Sequence, residues 1–439
     1  MKQKLLQKVR TSKNLESAWR IIQENGRSSK SEDVRADIAK YQEDAARNLR
    51  SLQRRLSSGK FKFPPAKGIP IPKLDAKGKK TGKVRPIVLA SVESRIVQRA
   101  ILNVLVELPA LKPFVKTEYS FGGIRSEKSK KTQTGDRIPR SERMSAVPAA
   151  VKAVLDTIEG GARFVACGDI QSFFTKISKP AVTKIIADAT DDAEFTAFFS
   201  EAIRVELENL DDLRKHGADW PIEEIGVAQG NSLSPLLGNI ALANFDAEMN
   251  ARDCRCIRYI DDIIILAPNA KAANARLKKA AALLRELGMK LSPDKTSSGA
   301  VSISEGFDFL GINFCLGAVR PTKKAQQKFL VSIDALFDEG QKSLNLMKDG
   351  KHDKRPYTLL GTLKKLDGMI DGWGKHYWFC NDDQIWKNVD AKINAKITHF
   401  LGFYRDVRNG AIEERKMGLL GVSELIRIDR EPFSYPKIN

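Results

Sequence analysis

Two adjacent aspartates interrupt an apolar stretch near the middle of this chain of 439 residues. In "RYIDDIIILA", residues 258–267, Asp261 and Asp262 stand between an aromatic residue, Tyr259, and a run of aliphatic residues. A regular strand would point the two carboxylates to opposite faces of a sheet. A tight hairpin turn over 259–262 would instead place both at an exposed tip while the flanking aliphatic residues stay buried. Taken alone, the pair is most simply an Asp-Asp turn without chemical function.

A second acidic residue stands in a similar position. The segment "FVACGDIQSFF" is an apolar strand pattern that ends at Asp169 and continues into Phe173 and Phe174. Acidic residues at the ends of two strands can bind a pair of Mg²⁺ ions, which take a few carboxylates together with substrate phosphates. Two such ions, about 4 Å apart, stabilise the attacking and leaving oxygens of an in-line phosphoryl displacement. The three aspartates therefore predict a phosphoryl-transfer centre of the kind that polymerases use.

The overall charge indicates a polyanionic partner. Lys and Arg number 74 against 54 Asp and Glu, which gives a formal net charge of +20 and a pI near 9.6. Nucleic acid is the leading candidate and an anionic membrane surface the second, with a merely basic protein as the alternative to both. No stretch approaches about 18 apolar residues, and the first residues lack the apolar core of a signal peptide, so the membrane interpretation weakens.

The cysteines predict a reducing compartment, and hence a cytoplasmic protein. They lack the paired spacing of a disulfide framework, and Cys254 and Cys256 have no second pair to complete a zinc site. The five positions are Cys167, Cys254, Cys256, Cys315 and Cys380.

The elements that must hold these residues follow from the apolar spacing. Residues 14–57 predict two helices, and "IPIPKLDAKGKKTGKVRPIVLA" predicts a hairpin with a basic tip. A helix then covers "SVESRIVQRAILNVLVELPAL", and the polar, basic segment 125–143 predicts a mobile surface loop. From about residue 145 the pattern is that of a packed unit of helices and strands that contains both acidic strand ends. After "SISEGFDFLGINF" we expect a helical, basic chain to its end.

Several motifs together resemble those of the reverse transcriptases, specifically the bacterial lineage related to group II introns. The resemblance runs in order along about residues 14–315. "YIDD" resembles the family's Tyr-X-Asp-Asp motif, and "DIQSFF" resembles its first catalytic motif. The other matching segments are "IPKLDAKGKKTGKVRPI" and "RIVQRAI" in the fingers, "YSFGGIRS", the Gln-Gly segment "GVAQGNSLSPLLGNIAL", and "LSPDKTSSG" and "FDFLGINF" after the active site.

The resemblance implies roles for the acidic residues and for two neighbours. Asp169, Asp261 and Asp262 would bind two metal ions, Mg²⁺ with Mn²⁺ as an alternative. Phe174 would be an aromatic gate that clashes with a ribose 2′-hydroxyl and so favours deoxynucleotides, or else an ordinary core residue. Lys295, in "DKT", would protonate the leaving pyrophosphate.

Five further residues are implied to contact the incoming nucleotide or the template. Lys73 and Arg85 match fingers residues that clamp the triphosphate, although in so basic a chain the alternative is a pair of solvated charges. Gln229 and Gly230 match the motif that approaches the nucleotide, where glycine allows the backbone to come close. Tyr259 is the aromatic residue of the Tyr-X-Asp-Asp motif.

The fold class implied by the resemblance is α+β, a right-hand polymerase fold with fingers, a palm built on an antiparallel sheet, and a helical thumb. The predicted domains are an N-terminal helical part of the fingers (1–60), the fingers with their basic loop (61–150), the palm (151–318) and a helical thumb or maturase-like region (319–439). In the last region, "LDGMIDGWGKHYWF" contains Trp373, Tyr377 and Trp378, which would either grip a duplex or pack as core.

Departures from the intron enzymes favour one branch of the family. "NGRSSKSED", "VESR" and "AQG" replace the patterns usual there, and the sequence shows neither a retron Val-Thr-Gly motif nor a zinc-associated nuclease module. We therefore expect a domesticated bacterial enzyme of the unknown-group type that copies a structured noncoding RNA into cDNA from deoxynucleotides in antiphage defence. The alternatives are an intron maturase acting in splicing or retromobility, a plasmid or other stand-alone enzyme, and a noncatalytic RNA-binding protein. The primer and the oligomeric state stay open.

Overall fold

The computed structural model divides into two compact units, Met1–Ser302 and Ile303–Asn439. It describes residues 4–74, 80–115, 117–124, 144–213, 220–251, 253–351, 357–423, 425 and 428–434. The predicted basic loop at 125–143 and the basic tip of the predicted hairpin lie outside these residues. The predicted domain boundaries at 60, 150 and 318 stay predictions.

Helices are the commonest elements among the described residues of the first unit. They are α1 (Leu5–Val9), α2 (Ser12–Arg27), α3 (Glu32–Glu43), α4 (Ala45–Ser57), α5 (Val92–Leu105), α6 (Lys112–Val115), α7 (Ala146–Glu159), α8 (Lys179–Thr190), α9 (Ala193–Ile203), α10 (Leu210–Leu213), α11 (Ser234–Ala241), α12 (Ala243–Met249) and α13 (Ala270–Glu286). Several begin at a residue whose side-chain oxygen accepts a hydrogen bond from a free amide of the first turn. These capping residues are Thr11, Ser31, Ser91, Ser178, Asp192 and Asn269.

The N-terminal region contains more helices than its apolar spacing predicts. We expected two helices over 14–57, and that number is wrong because α2, α3 and α4 are separate. Ser31 caps a new helix after the chain leaves α2, and Asp44, with φ −135° and ψ 44°, breaks the helical conformation between α3 and α4. Apolar spacing continues across both breaks, which is why periodicity alone misses them.

The predicted hairpin is present near the start of the first unit. Strands β1 (Lys67–Leu74) and β2 (Lys80–Leu89) pair antiparallel, with Lys67 opposite Leu89 and Ile71 opposite Arg85. The pairing shifts register between Pro72 and Leu74. Pro70 faces Pro86, a placement that an isolated two-stranded hairpin tolerates because its outer edges need no ladder hydrogen bonds.

A five-stranded sheet forms the centre of the first unit. Its strands are β3 (Ser120–Phe121), β4 (Phe164–Asp169), β5 (Arg255–Tyr259), β6 (Asp262–Ala267) and β7 (Val301–Ser302), in the spatial order β3-β5-β6-β4-β7. Every pair is antiparallel except β3 with β5. Helix α13 packs on β4 and β6, and α7 packs on β3 and β5. The residues from Ile263 to Ala267 are all buried, so β6 is a rigid central strand.

The second unit combines a small sheet with long helices. Strands β8 (Phe307–Phe309), β9 (Ile312–Cys315) and β10 (Ala318–Pro321) precede α14 (Lys323–Lys348), α15 (Leu359–His376), α16 (Asp383–Asn409) and α17 (Glu413–Leu420). The expected helical chain therefore begins only after β10. Leu316 and Gly317, with φ of 48° and 81°, form the two-residue loop that turns the chain back onto β9.

The aromatic residues of the second unit have different surroundings. Trp373 stacks on Phe329 with ring centroids 4.5 Å apart, and Trp386 meets it edge-on at 5.5 Å. Tyr377 is buried, whereas Trp378 is 38% exposed. Trp373 and Tyr377 are therefore packing residues, and Trp378 is the residue of the three that is available to a ligand. Within the described ranges, no helix has the length and apolar character to cross a membrane.

We expect Trp373→Ala to lower the free energy of unfolding of the helical unit by about 2–4 kcal/mol, since it removes a large ring from a stack. Trp378→Ala should change it by less than about 1 kcal/mol because that ring is partly exposed and lies outside the stack on Phe329. Denaturant titration followed by circular dichroism measures both. Equal losses for the two variants would contradict this assignment of the tryptophans.

Candidate active site

The two adjacent aspartates lie at the hairpin turn between β5 and β6. Tyr259 pairs with Asp262, so Ile260 and Asp261 form the two-residue loop, as the sequence predicts. Ile260 has φ +61°, and positive φ at the first loop residue is the pattern of a type II′ turn. A β-branched residue rarely adopts this conformation, which costs on the order of 1–3 kcal/mol. Both carboxylates are half-buried, not exposed at a tip as we expected.

The third aspartate is the direct neighbour of this turn. Asp169, the last residue of β4, is paired with Asp262 in the β4–β6 ladder, so their side chains lie on the same face. The backbone N–H of Ile170 donates to the carbonyl of Asp261 at 2.8 Å and joins the end of β4 to the turn itself. Asp169 is only 7% exposed. The sheet register therefore brings together the three aspartates that the sequence singled out.

Burial and mutual repulsion change the acidity of the pair in the turn. Burial raises the pKa of Asp262 to about 6, and the negative charges of Asp261 and Asp169 add to the rise. Burial also raises the pKa of Asp261, as does the charge of Asp169, while the charges of Lys295 and Arg85 act in the opposite direction. The cluster thus has an unbalanced negative charge that a bound cation would relieve.

Lys295 contributes the positive charge closest to this cluster. Its Nζ donates to Oδ1 of Asp169 at 2.6 Å. Burial lowers the pKa of Lys295, but the hydrogen bond and charge of Asp169 outweigh that effect and raise it. The segment that holds Lys295 follows the edge of β4: Ser292 donates its N–H to the carbonyl of Asp169 at 2.7 Å, and Ser297 donates to that of Cys167 at 2.9 Å.

The Gln-Gly motif is joined to the hairpin of β1 and β2. The N–H of Val88 donates to the carbonyl of Gln229 at 3.0 Å. Gly230 has φ +116°, and a Cβ there would lie 2.9 Å from the carbonyl oxygen of Val88. Only glycine fits this position without strain. On the same hairpin, Arg85 is exposed and its charge acts on Asp261, whereas the triphosphate contact of Lys73, exposed on β1, stays a prediction.

The two phenylalanines after Asp169 have different surroundings. Phe173 is 2% exposed and packs against Gly238, where a Cβ would lie 2.9 Å from its ring. Phe174 is half-buried, with its ring centroid 5.1 Å from that of Phe173. Phe173 is therefore the core residue. Phe174 is the one of the two with surface open to a ligand, and its role as a gate stays a prediction.

Two features of the site lie outside the residues that sequence reasoning singled out. Gly122, with φ +90°, lies against the ring of Tyr259, and a Cβ there would lie 3.0 Å from that ring, so a glycine at 122 is what lets the chain approach the tyrosine. Arg258 is completely buried behind the turn. The signal for Arg258 was present, since it is a charged residue inside an apolar strand, but its partner Asp246 lies on helix α12 and periodicity cannot locate it.

The oxygen donors fit Mg²⁺ in chemical type. Among the described residues, no group of three or more His, Cys, Asp or Glu side chains is arranged to hold a metal ion by itself. Mg²⁺ takes one or two carboxylates supplemented by waters and substrate phosphates. The raised pKa of Asp262, caused by burial and by neighbouring carboxylates, is the observation that favours a cation here. The identity of the ion stays a prediction.

Residues 71–314 match the family model described as reverse transcriptase (RNA-dependent DNA polymerase). This match covers more than half of the chain and spans every residue of the site. The chain belongs to the reverse transcriptase family. The predicted family, its enzyme class of RNA-directed DNA polymerase, and the α+β right-hand polymerase fold are thereby confirmed.

Similar proteins include Protein YkfC of Escherichia coli (strain K12), which is 24% identical over 303 residues, 60% of this chain and 70% of that protein. A solved structure titled "Partial Cas6-RT-Cas1--Cas2 complex" is 19% identical, with a TM-score of 0.34 over 65% of this chain. Telomerase from Candida albicans is 12% identical, with a TM-score of 0.37 over 82% of this chain and 60% of its own. This reverse transcriptase spans 43% and 27% of the chains in the two Cas6-RT-Cas1--Cas2 structures.

The acidic cluster should destabilise the metal-free protein. Because the folded pKa of Asp262 lies above its usual 3.8, the folded state binds an extra proton between about pH 4 and 6, and stability falls as pH rises through that window. We expect Asp262→Asn to raise the free energy of unfolding at pH 7.5 by roughly 1 kcal/mol after allowance for solvent screening. The gain should shrink at pH 4.

Denaturant titration without divalent ions at both pH values measures this gain, and adding Mg²⁺ should stabilise the wild type more than the variant. The account of the cluster is wrong if Asp262→Asn is less stable than the wild type at pH 7.5.

Proposed function

We propose that this reverse transcriptase copies RNA into DNA by nucleotidyl transfer at Asp169, Asp261 and Asp262, with two Mg²⁺ ions. The observation that supports the proposal most strongly is the pairing of Asp169 with Asp262 across two strands, beside the turn that contains Asp261. Bound ions would stabilise negative charge on the attacking and leaving oxygens. The three aspartates would hold them, and Mn²⁺ is the alternative ion.

Other residues of the chain would position the nucleotide. Arg85, and Lys73 on the strand paired with it, would contact the triphosphate, because a guanidinium suits bidentate phosphate contact. The backbone at Gln229 and Gly230, together with Tyr259, would lie against the incoming nucleotide and the template. Protonated Lys295, now paired with Asp169, would turn to the leaving pyrophosphate and supply its proton.

The partners follow from charge and chemistry: an RNA template, deoxynucleotides and the cDNA product. A net charge of +20 supports binding through phosphate neutralisation, which depends strongly on salt. We further propose that the template is a dedicated, structured noncoding RNA and that the enzyme acts in antiphage defence in the bacterial cytoplasm. The residues that support this branch of the family are the "AQG" and "VESR" departures from intron enzymes.

We expect Asp261→Ala combined with Asp262→Ala to abolish primer extension on an RNA template while leaving RNA affinity within about threefold, because phosphate contacts dominate that affinity. A matched control is Asp211→Ala with Asp212→Ala, an adjacent pair of exposed aspartates on α10. It should retain wild-type extension. Residual extension by the first variant, or equal losses in both, would refute the assignment.

The proposed role of Phe174 as an aromatic gate against ribonucleotides has its own test. Phe174→Ala should raise the kcat/KM for ribonucleotides relative to deoxynucleotides by at least about tenfold, because it removes the ring that would contact the 2′-hydroxyl. Phe173→Ala is the comparison: it should destabilise the fold by about 3–5 kcal/mol without changing this ratio. Single-nucleotide incorporation gives the ratio. No change in the ratio for Phe174→Ala would mean that it is a packing residue.

The proposed noncoding RNA template and the role in antiphage defence are tested by sequencing the RNA and DNA that copurify with the protein expressed from its native locus. One dominant small RNA with complementary DNA, lost in the Asp261→Ala, Asp262→Ala variant, is the expected result. Intron RNA without carboxylate-dependent DNA would instead identify a splicing factor. RNA of no particular sequence would contradict a dedicated template.

A further inference from the structure

A buried ion pair lies directly behind the catalytic turn. Arg258, 0% exposed, donates through Nε to Oδ1 of Asp246 at 2.8 Å and through Nη2 to Oδ2 at 2.6 Å. Its remaining nitrogen, Nη1, donates to the backbone carbonyl of Ile260 at 2.9 Å. One planar guanidinium therefore joins an acidic residue of α12 to the first residue of the turn.

Asn239 also accepts a hydrogen bond from the guanidinium of Arg258. Its Oδ1 lies 3.3 Å from Nη2 of Arg258 and accepts a hydrogen bond from it. Its Nδ2 donates to the carbonyl of Phe114 at 2.9 Å, which orients the amide. Asn239 is the asparagine of the "SPLLGN" segment and has no other role in the site as described above.

The peptide that Arg258 holds is the strained one. Ile260 has φ +61°, and its N–H donates to the carbonyl of Phe121 at 3.2 Å. The next carbonyl, that of Asp261, accepts from Ile170 at 2.8 Å. Strained conformations persist only where the surroundings over-determine them. Among the hydrogen bonds to Ile260 and Asp261 in the described part of the chain, the one from Arg258 comes from a side chain.

We propose that Arg258 is a positioning residue for catalysis: oriented by Asp246 and Asn239, it holds the Ile260 peptide so that Asp261 and Asp262 stay aligned with Asp169. The inference rests on the proposed function of these aspartates. Holding Asp246 and the Ile260 carbonyl at once requires arginine, because the guanidinium has fixed donors in two directions. Lysine is a single point charge on a flexible stem. A lysine at 258 would keep its pairing with Asp246 and lose its hold on the turn.

The competing explanation is that the pair only stabilises the fold. Removing one partner of a buried ion pair leaves an uncompensated charge and can unfold a protein, whatever the pair's role in catalysis. The test therefore uses Arg258→Lys, which keeps the charge, and compares it in two backgrounds: wild type and Ile260→Gly. Glycine adopts positive φ without strain, so in that background the turn needs less support.

Hydrogen exchange and primer extension are measured for all four proteins. Arg258→Lys should speed exchange of the amides of Ile170 and Ile260 by about tenfold and lower kcat by about tenfold, with KM for the template-primer unchanged. In the Ile260→Gly background the same substitution should lower kcat by no more than about twofold, a non-additivity that a purely structural role does not produce.

Arg276→Lys is the matched control, since Arg276 is also buried and donates to a backbone carbonyl, that of Glu248, away from the turn. It should leave exchange at the turn unchanged.

Equal losses of kcat in both backgrounds, or unchanged exchange at Ile170 and Ile260 in Arg258→Lys, would overturn the proposal. If Arg258→Lys fails to fold, Arg258→Met combined with Asp246→Leu replaces the pair by apolar side chains and leaves no unpaired charge. Faster exchange at the turn in that folded double variant supports the proposal, and unchanged exchange overturns it. Because exchange needs no substrate, it tests Arg258 even if the protein makes no DNA, an outcome that would refute only the proposed function.

Discussion

Repulsion among three aspartates is the constraint around which the first unit is organised. Like charges in a partly buried site raise one another's pKa, and repulsion between the ionised carboxylates would drive them apart. The backbone does so instead: Asp169 and Asp262 are paired residues of one ladder, and the carbonyl of Asp261 accepts from Ile170. The fold therefore bears the electrostatic cost of keeping the three carboxylates together. Such a cost is common at sites where function competes with stability.

The neighbouring elements can be understood as supports for that arrangement. The Lys295 segment borders β4 and supplies a positive charge to Asp169, and the Gln-Gly motif joins the hairpin of β1 and β2 at Val88. Gly122 lets the ring of Tyr259 pack closely beside the turn. The contacts at Gln229 and Gly122 use a backbone group or a glycine, in keeping with the small residues of those motifs. The geometry depends on close approach of chain segments, and bulky side chains would prevent it.

The sequence predicted the central features because their signals are local. An apolar strand that ends in an acidic residue, and a turn between two apolar strands, can be recognised from a few adjacent residues, as at Asp169 and in "YIDD". The number of N-terminal helices was not predictable from periodicity, since short breaks at Ser31, which caps α3, and at Asp44 leave the apolar spacing intact. The partner of Arg258 and the different environments of Trp373 and Trp378 depend on contacts between distant segments. Such contacts have no local signal.

The most direct test of the account is a structure of the protein with an RNA template, a DNA primer that lacks its 3′-hydroxyl, a deoxynucleotide and Mg²⁺. We predict that two ions are held by the oxygens of Asp169, Asp261 and Asp262. We also predict that Lys295 has left Asp169 for the phosphates while the turn at Ile260 is unchanged. A nucleotide bound elsewhere, or Lys295 still paired with Asp169 and no ion at the aspartates, would contradict it.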